Sequence, residues 1–248
     1  MKNPEEYALK HLIPMLKELI EKYEPDLLFT DGEWDYESSV WHSTDFLTWL
    51  FNESPVKDEI VVNDRWGSET RGELGGYFTT EYGEIYPGKG KLVYSGRPFE
   101  ECRGIGKSFG FNRIENFEDY MSAKELLEVL CTMVSRGGNF LLNIGPAADG
   151  TIPVIMQERL IQIGKWLSVN GEAIYDTEYY CEPVQKKAVY TQTKENIYAI
   201  IKEFPFGVVF FPEIPYNDVD KVSLLGFDGE IEKENKNGQY RLVLRKQF

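Results

Sequence analysis

LLFTDGEW, residues Leu27 to Trp34, and VVNDRWG, residues Val61 to Gly67, each run a short apolar stretch directly into carboxylate-bearing loop residues. That is the pattern of strands in an α/β sheet, whose carboxyl ends aim loop side chains into a shared crevice. The flanking sequence supplies the helices. Asn3-Pro4-Glu5-Glu6 is a helix start, with Asn3 as cap, Pro4 suited to the first turn and Glu6 placed to close a capping box. Leu9, Leu12, Ile13, Leu16 and Ile20 then keep a helical period that predicts one buried face. A first strand is expected over Asp26 to Thr30, a helix from Ser43 or Thr44 through Phe51, and a second strand over Glu59 to Asn63.

From Gly67 to Gly96 the chain is Gly-rich, aromatic and polar without a clean period, which reads as a long loop region of the kind that carries function. A short third strand fits within Arg103 to Asn112. Ser122 and Glu125 form a capping box for a helix carrying Leu126, Leu130 and Val134, which ends near Gly137-Gly138. Asn139 to Gly145 (NFLLNIG) is a strand of buried type, and Pro153 opens a helix with Met156, Leu160, Ile163 and Leu167 on one face. Beyond about Tyr175 the period changes. Lys187 to Thr191, Ile197 to Glu203, Gly207 to Phe211, Val219 to Leu225 and Tyr240 to Leu244 read as short strands, with turns at Asp228-Gly229 and Asn237-Gly238. The expected organisation is an α/β domain over residues 1–178 and a small antiparallel β domain over 179–248. A closed (β/α)8 barrel needs eight strand–helix units and about four are visible here, so the first part is either an open sheet or the rear half of a barrel.

With 248 residues, 42% of them hydrophobic and 14% aromatic, the chain can build a real core. The net charge of −14 argues against nucleic acid and anionic membrane surfaces as partners and suits a neutral substrate. No stretch is apolar enough for a membrane span, and the charged first helix does not read as a signal peptide. Cys102, Cys131 and Cys181 are odd in number and far apart, so no disulfide framework follows. His11 reads as a surface residue; His42, beside Trp41 at a helix start, is the histidine open to nucleophilic schemes. With no Cys or His cluster, neither a metal nor another cofactor is called for, and carboxylates are left to do acid–base work. Asp31, after the apolar strand and before Gly32, is either a strand-end carboxylate aimed at a ligand or an Asp-Gly turn residue, and spacing alone leaves both open. Glu33 and Asp35 read as ordinary loop acids, and Trp34 as a core residue or a sugar platform. Asn63, Asp64 and Arg65 at one strand end would be costly to bury unless they pair, so a polar network is expected there.

Taken together, YEPDLLFTDGEW (Tyr23 to Trp34), SPVKDEIVVNDRWG (Ser54 to Gly67), TTEY (Thr79 to Tyr82), GKSFGFN (Gly106 to Asn112), GGNFLLNIGPAADGTI (Gly137 to Ile152) and WLSVNGEAIY (Trp166 to Tyr175) resemble glycoside hydrolase family 29, the α-L-fucosidases, most closely the tissue or lysosomal type. The resemblance implies the rear half of a (β/α)8-like barrel followed by a small antiparallel β-sandwich. It implies retaining hydrolysis of terminal α-L-fucose from glycoconjugates, with two carboxyl groups flanking the bond. By the same resemblance Asp31 is the nucleophile, Arg65 its charge partner at the sugar, and Glu81 in TTEY the acid–base residue, with Glu73 and Glu84 as alternatives on the same loop. A proton-donating carboxyl needs cover from water, which Tyr77, Phe78 and Tyr82 are placed to give. Phe109 matches an aromatic that packs near the fucose methyl group, and Trp34 remains a candidate sugar contact.

The family's remaining hydroxyl-binding residues come from earlier barrel strands, onto which no position of this chain maps. A complementing chain, self-association or sequence outside these 248 residues would supply them, and the alternative reading is a catalytically incompetent carbohydrate-binding or interaction protein derived from a fucosidase. The family suggests a lysosomal or secreted location, where the Asn52-Glu53-Ser54 sequon would be meaningful.

Overall fold

The structure, a computed structural model, describes residues 3–83, 96–182, 187–202, 207–215, 221–228, 231–236 and 239–244. They divide into two compact units, Met1–Cys102 and Arg103–Phe248. The first unit opens on one helical run in three pieces: α1 (Pro4–Tyr7), a π turn over Ala8–Leu12, and α2 (Ile13–Tyr23). Asn3 caps it, accepting from the Glu6 N–H at 3.1 Å, and returns a side-chain amide bond to the Glu6 carboxylate at 3.4 Å. Pro14 accounts for the π turn, because a proline lacks the N–H and its ring crowds the carbonyl one turn back. The widened turn rotates the apolar row. Ala8 and Ile20 are buried, whereas Leu9, expected to face inward, is half exposed.

Strand β1 (Leu27–Leu28) and β2 (Val61–Val62) pair in parallel, Leu27 opposite Val61 and Leu28 opposite Val62. Between them run α3 (Ser38–Trp41) and α4 (Ser43–Asn52). Ile20, Leu28, Phe46, Leu50, Ile60, Val62 and Trp66 form one core cluster, so α2 and α4 bury their apolar faces against the strand pair. His42 sits at the junction of α3 and α4 in a left-handed conformation, its ring nitrogens 3.0 Å from Asp45 and 3.4 Å from Glu5. Its hydrogen bond to Asp45 raises its pKa, and it serves as a local tie at that junction.

Where the sequence reads as a continuous loop, the structure has β3 (Phe78–Glu81), paired in parallel with β4 (Phe99–Gly104). The third strand therefore lies ahead of the expected Arg103 to Asn112 segment. The Tyr77 N–H donates to the Val62 carbonyl at 3.2 Å, which sets the start of β3 beside β2. Gly76 makes this approach possible: a Cβ there would stand 2.3 Å from the Val62 carbonyl oxygen.

In the second unit the Ile105 N–H donates to the Asn143 carbonyl at the end of β5 (Gly138–Asn143). Helix α5 (Ala123–Val134) starts on a complete capping box between Ser122 and Glu125, and α6 (Val154–Asn170) follows Pro153. Ile105, Leu126 and Met156 make their shared core. The chain then becomes antiparallel: β6 (Glu178–Tyr179), β7 (Ala188–Gln192) and β8 (Ile197–Ile201) form one sheet. A second sheet has the order β10 (Glu232–Lys236), β11 (Gln239–Leu244), β9 (Gly207–Pro215). Ala188 and Tyr190 of β7 pack with Phe211 and Ile214 of β9, so the two sheets share a core. In the expected Val219 to Leu225 strand, the described residues hold only a bridge from Leu224 to Phe227, while β10 is a strand the sequence reading does not foresee. Gly229 and the Asn237-Gly238 turn lie outside the described residues. Cys131 and Ile174 pack against Val189, so α5 and the start of the β region share a cluster, and residues 178 and 179 fall inside the second unit. The fold is thus mixed α/β, parallel early and antiparallel late.

Ser122→Ala removes one half of the α5 capping box; a urea melt should show a loss of about 1 kcal/mol, and an unchanged midpoint would mean the cap adds nothing to global stability.

Candidate active site

The residues of NDRWG take up separate tasks. Asn63, fully buried, ties the ends of β1 and β2 together: its Oδ1 accepts from the Thr30 hydroxyl at 2.9 Å and its amide donates to the Thr30 carbonyl at 2.7 Å. Asp64, also fully buried, accepts from the Gly72 N–H at 2.8 Å, the Thr79 N–H at 3.2 Å and the Thr79 hydroxyl at 2.7 Å. A buried carboxylate is tolerated when it collects donors in this way. Trp66 stacks on Phe46 with ring centroids 5.7 Å apart and donates its indole N–H to the Asn63 carbonyl. Asn63 and Asp64 thereby lock the chain on either side of Arg65.

Arg65 is the centre of the site. Its guanidinium lies over the Phe29 ring at 4.8 Å and donates from Nε to the Thr79 hydroxyl at 2.9 Å. Nη1 stands 2.7 Å from Asp31 Oδ1 and 2.7 Å from Glu81 Oε1. Asp31, at the end of β1, and Glu81, at the end of β3, thus meet on one nitrogen. Their two oxygens can therefore lie no farther apart than twice 2.7 Å. Burial works against the Arg65 cation, but the hydrogen bond to Asp31 and the charge of Glu81 outweigh it and hold its pKa up.

Among the loop glutamates weighed from sequence, Glu81 is joined to Asp31 through Arg65. Glu73 is exposed and Glu84 lies outside the described residues. Tyr77 and Phe78 are buried, whereas Tyr82 is exposed, in a left-handed conformation. Trp34 is half exposed and takes no part in this charge cluster among the described residues. Phe109 belongs to the second unit, where its ring is partly exposed and its carbonyl accepts from the Asn143 side chain. Burial pushes the thiols of Cys102 and Cys131 up to about 12 and that of Cys181 to about 11, which leaves none of them a nucleophile at neutral pH. Among the described residues no group of three or more His, Cys, Asp or Glu side chains could hold a metal, and no helix is long and apolar enough to cross a membrane.

A family model described as Alpha-L-fucosidase matches residues 1–172. The chain is 40% identical over 228 residues to human tissue alpha-L-fucosidase, covering 89% of this chain and 47% of that protein. It is 41% identical over 235 residues to an alpha-L-fucosidase of Dictyostelium discoideum, covering 92% and 50%. The chain belongs to the α-L-fucosidase family. It spans about half the length of the curated relatives it matches. Among solved structures it is similar to a Thermotoga maritima alpha-L-fucosynthase in complex with alpha-L-Fuc-(1-2)-beta-L-Fuc-N3, with a TM-score of 0.76 and 31% identity over 97% of this chain and 52% of that one.

In this α-L-fucosidase-family chain, two side chains of the site escape a reading of the sequence. Glu33, which reads as an ordinary loop acid, is 4% exposed, and neither carboxyl oxygen has a hydrogen-bond partner among the described residues. Arg71, likewise buried, brings Nη1 to 3.8 Å from Glu33 and Nη2 to 3.5 Å from Glu81. Nothing local marks Arg71, because its partners are distant in sequence. Glu100 on β4 is a further half-buried carboxyl within reach of the Arg65 charge, and burial raises its pKa.

Desolvation raises the Glu33 pKa more than the charge of Arg71 lowers it. The folded chain therefore holds the Glu33 proton more tightly than the unfolded chain, and Glu33 costs stability as pH rises from about 4.3 through its raised folded value. Glu33→Gln should be more stable than the parent in urea at pH 7, with the gap closing below about pH 4; equal or lower stability at pH 7 would show that Arg71 fully compensates the anion.

Proposed function

We propose that this chain carries the catalytic carboxylates of a retaining α-L-fucosidase that removes terminal α-L-fucose from glycoconjugates. The observation that supports this most is the convergence of Asp31 and Glu81 on Arg65 Nη1, each at 2.7 Å. In the first step an Asp31 oxygen attacks the anomeric carbon as the bond to the leaving oxygen breaks, and Glu81 gives that oxygen its proton. The product is a fucosyl ester on Asp31. In the second step the Glu81 carboxylate takes a proton from water, the water oxygen attacks the anomeric carbon, and Asp31 leaves as the carboxylate. Arg65 holds the two anions close, which their mutual repulsion would otherwise oppose. The acid step needs Glu81 protonated, and the base step returns that proton.

The same reading places β1 to β5 in the later part of a (β/α)8 barrel and residues 179–248 in a β-sandwich domain. The parallel pairing of β1 with β2 and of β3 with β4 favours it, as does the half-length match to the relatives. On this reading the structure contains one barrel strand more than the sequence pattern reveals, namely β3. On this reading the rest of the fucose pocket comes from barrel strands that lie outside the half of the relatives matched here. Trp34 and Phe109 are proposed sugar contacts on the strength of the resemblance.

Hydrolysis of an aryl α-L-fucoside tests the proposal. Asp31→Gly should lower turnover by at least about 10³-fold, the scale on which loss of a catalytic nucleophile is felt. Azide should restore part of it, since a small anion fits the space the carboxylate vacates. No turnover by the parent chain, with fucose binding retained in calorimetry, would favour the carbohydrate-binding reading; turnover untouched by Asp31→Gly would overturn the nucleophile assignment.

A further inference from the structure

We propose that Glu101 is a positioning residue that clamps the end of β3 and so aims Glu81 at Arg65. The proposal rests on the reading of Glu81 as the acid–base residue. Successive side chains on a strand point to opposite faces. Thr79 and Glu81 both reach Arg65, so Thr80 between them faces away, and Glu101 stands opposite Thr80 in the register of β3 and β4. Glu101 is fully buried. Its carboxylate accepts from the Thr80 hydroxyl at 2.5 Å and from the Gly83 N–H at 2.9 Å and 3.2 Å. It therefore grips the residue before Glu81 and the second residue after it.

The grip falls where the backbone has most reason to relax. Tyr82 has φ 49 and Gly83 φ 84, so the chain reverses through two left-handed residues immediately after Glu81. A tyrosine holds that conformation only when its surroundings impose it. The Tyr82 N–H to Cys102 carbonyl bond, at 3.4 Å, is long, and the two bonds from Gly83 to Glu101 are the shorter constraint on the reversal. Without them the turn could open and carry the Glu81 carboxyl off Arg65 Nη1, where Asp31 would remain held by its own bond from β1. Burying a carboxylate for a turn that bears no load would be costly, and an apolar side chain would fill the same space more cheaply.

Three variants separate positioning from general support. Glu101→Leu keeps the volume and removes both acceptors. Glu101→Gln can still accept from Gly83 and donate to the Thr80 hydroxyl. Thr80→Val removes only the hydroxyl. The readout is kcat/KM, which reports the step that forms the fucosyl ester, on two substrates: phenyl α-L-fucoside, whose leaving group needs a proton, and 2,4-dinitrophenyl α-L-fucoside, whose leaving group does not. Glu101→Leu should lose about 10²-fold on the first and under about threefold on the second, the lower range of what a general acid contributes. Glu101→Gln should stay within about threefold of the parent on both, since it retains the general acid's support. Equal losses on the two substrates, or a glutamine as damaging as leucine, would overturn the clamp. If the leucine variant does not fold, Thr80→Val carries the test, with a loss of about tenfold confined to the phenyl fucoside expected and an equal loss on both overturning it. If the parent chain turns over neither substrate, crystal structures of the parent and the variant decide the clamp separately from the fucosidase reading. Glu81 should then move beyond about 4 Å from Arg65 Nη1 while Asp31 stays; Glu81 still on Arg65 would contradict the proposal.

Discussion

A guanidinium with almost no contact with water cannot be left unpaired, and the first unit is organised around meeting that demand for Arg65. Two carboxylates from two different strand ends supply the charge, a threonine hydroxyl from β3 accepts the Nε–H hydrogen bond, and the Phe29 ring lies across one face. Each partner needs its own support. Asn63 fixes the end of β1 that carries Asp31, Asp64 fixes the start of β3 through Thr79, and Trp66 closes the loop back onto the core by stacking on Phe46. Removing Arg65 would leave two like charges facing each other, so site and local fold depend on the same cation.

The arrangement also explains why polar residues occupy positions that packing alone would give to apolar ones. Thr79, Thr80, Asp64, Glu101 and Arg71 are all nearly or fully buried. Each of Asp64, Thr79, Thr80 and Glu101 makes hydrogen bonds that connect β2, β3 and β4, and Arg71 runs between Glu33 and Glu81. In a low-dielectric interior such networks hold a specific geometry when their members are satisfied. The Glu33 carboxyl oxygens and Arg65 Nη2 are places in this network that lack hydrogen-bond partners among the described residues.

These networks also decide what the sequence could reveal. The strand ends at LLFTDGEW and VVNDRWG were legible because apolar residues lead into them, and the α5 capping box was legible because its four-residue pattern is local. Strand β3 was not: FTTE lacks both an apolar run and a hydrophobic alternation, since its threonines face a buried arginine and a buried glutamate rather than oil. The helical row failed at Leu9 because a proline further along inserted a π turn that an ideal period does not contain. Glu33 looked like any loop acid, and only its distant partner Arg71 reveals the burial. Strand β10, with its EKENK sequence, shows no strand pattern and among the described residues pairs on one side only, with β11, the kind of charged edge that discourages association.

The proposed covalent bond between Asp31 and the sugar can be trapped. A 2-deoxy-2-fluoro-α-L-fucosyl fluoride carries a leaving group good enough for the first step and a fluorine that slows the second, so a glycosyl ester should accumulate. Mass spectrometry of the digested protein should find one fluorofucosyl adduct, on the peptide bearing Asp31, lost when Asp31 is replaced. An adduct on Glu33, Glu81 or Glu100, or none on a chain that hydrolyses fucosides, would contradict the account.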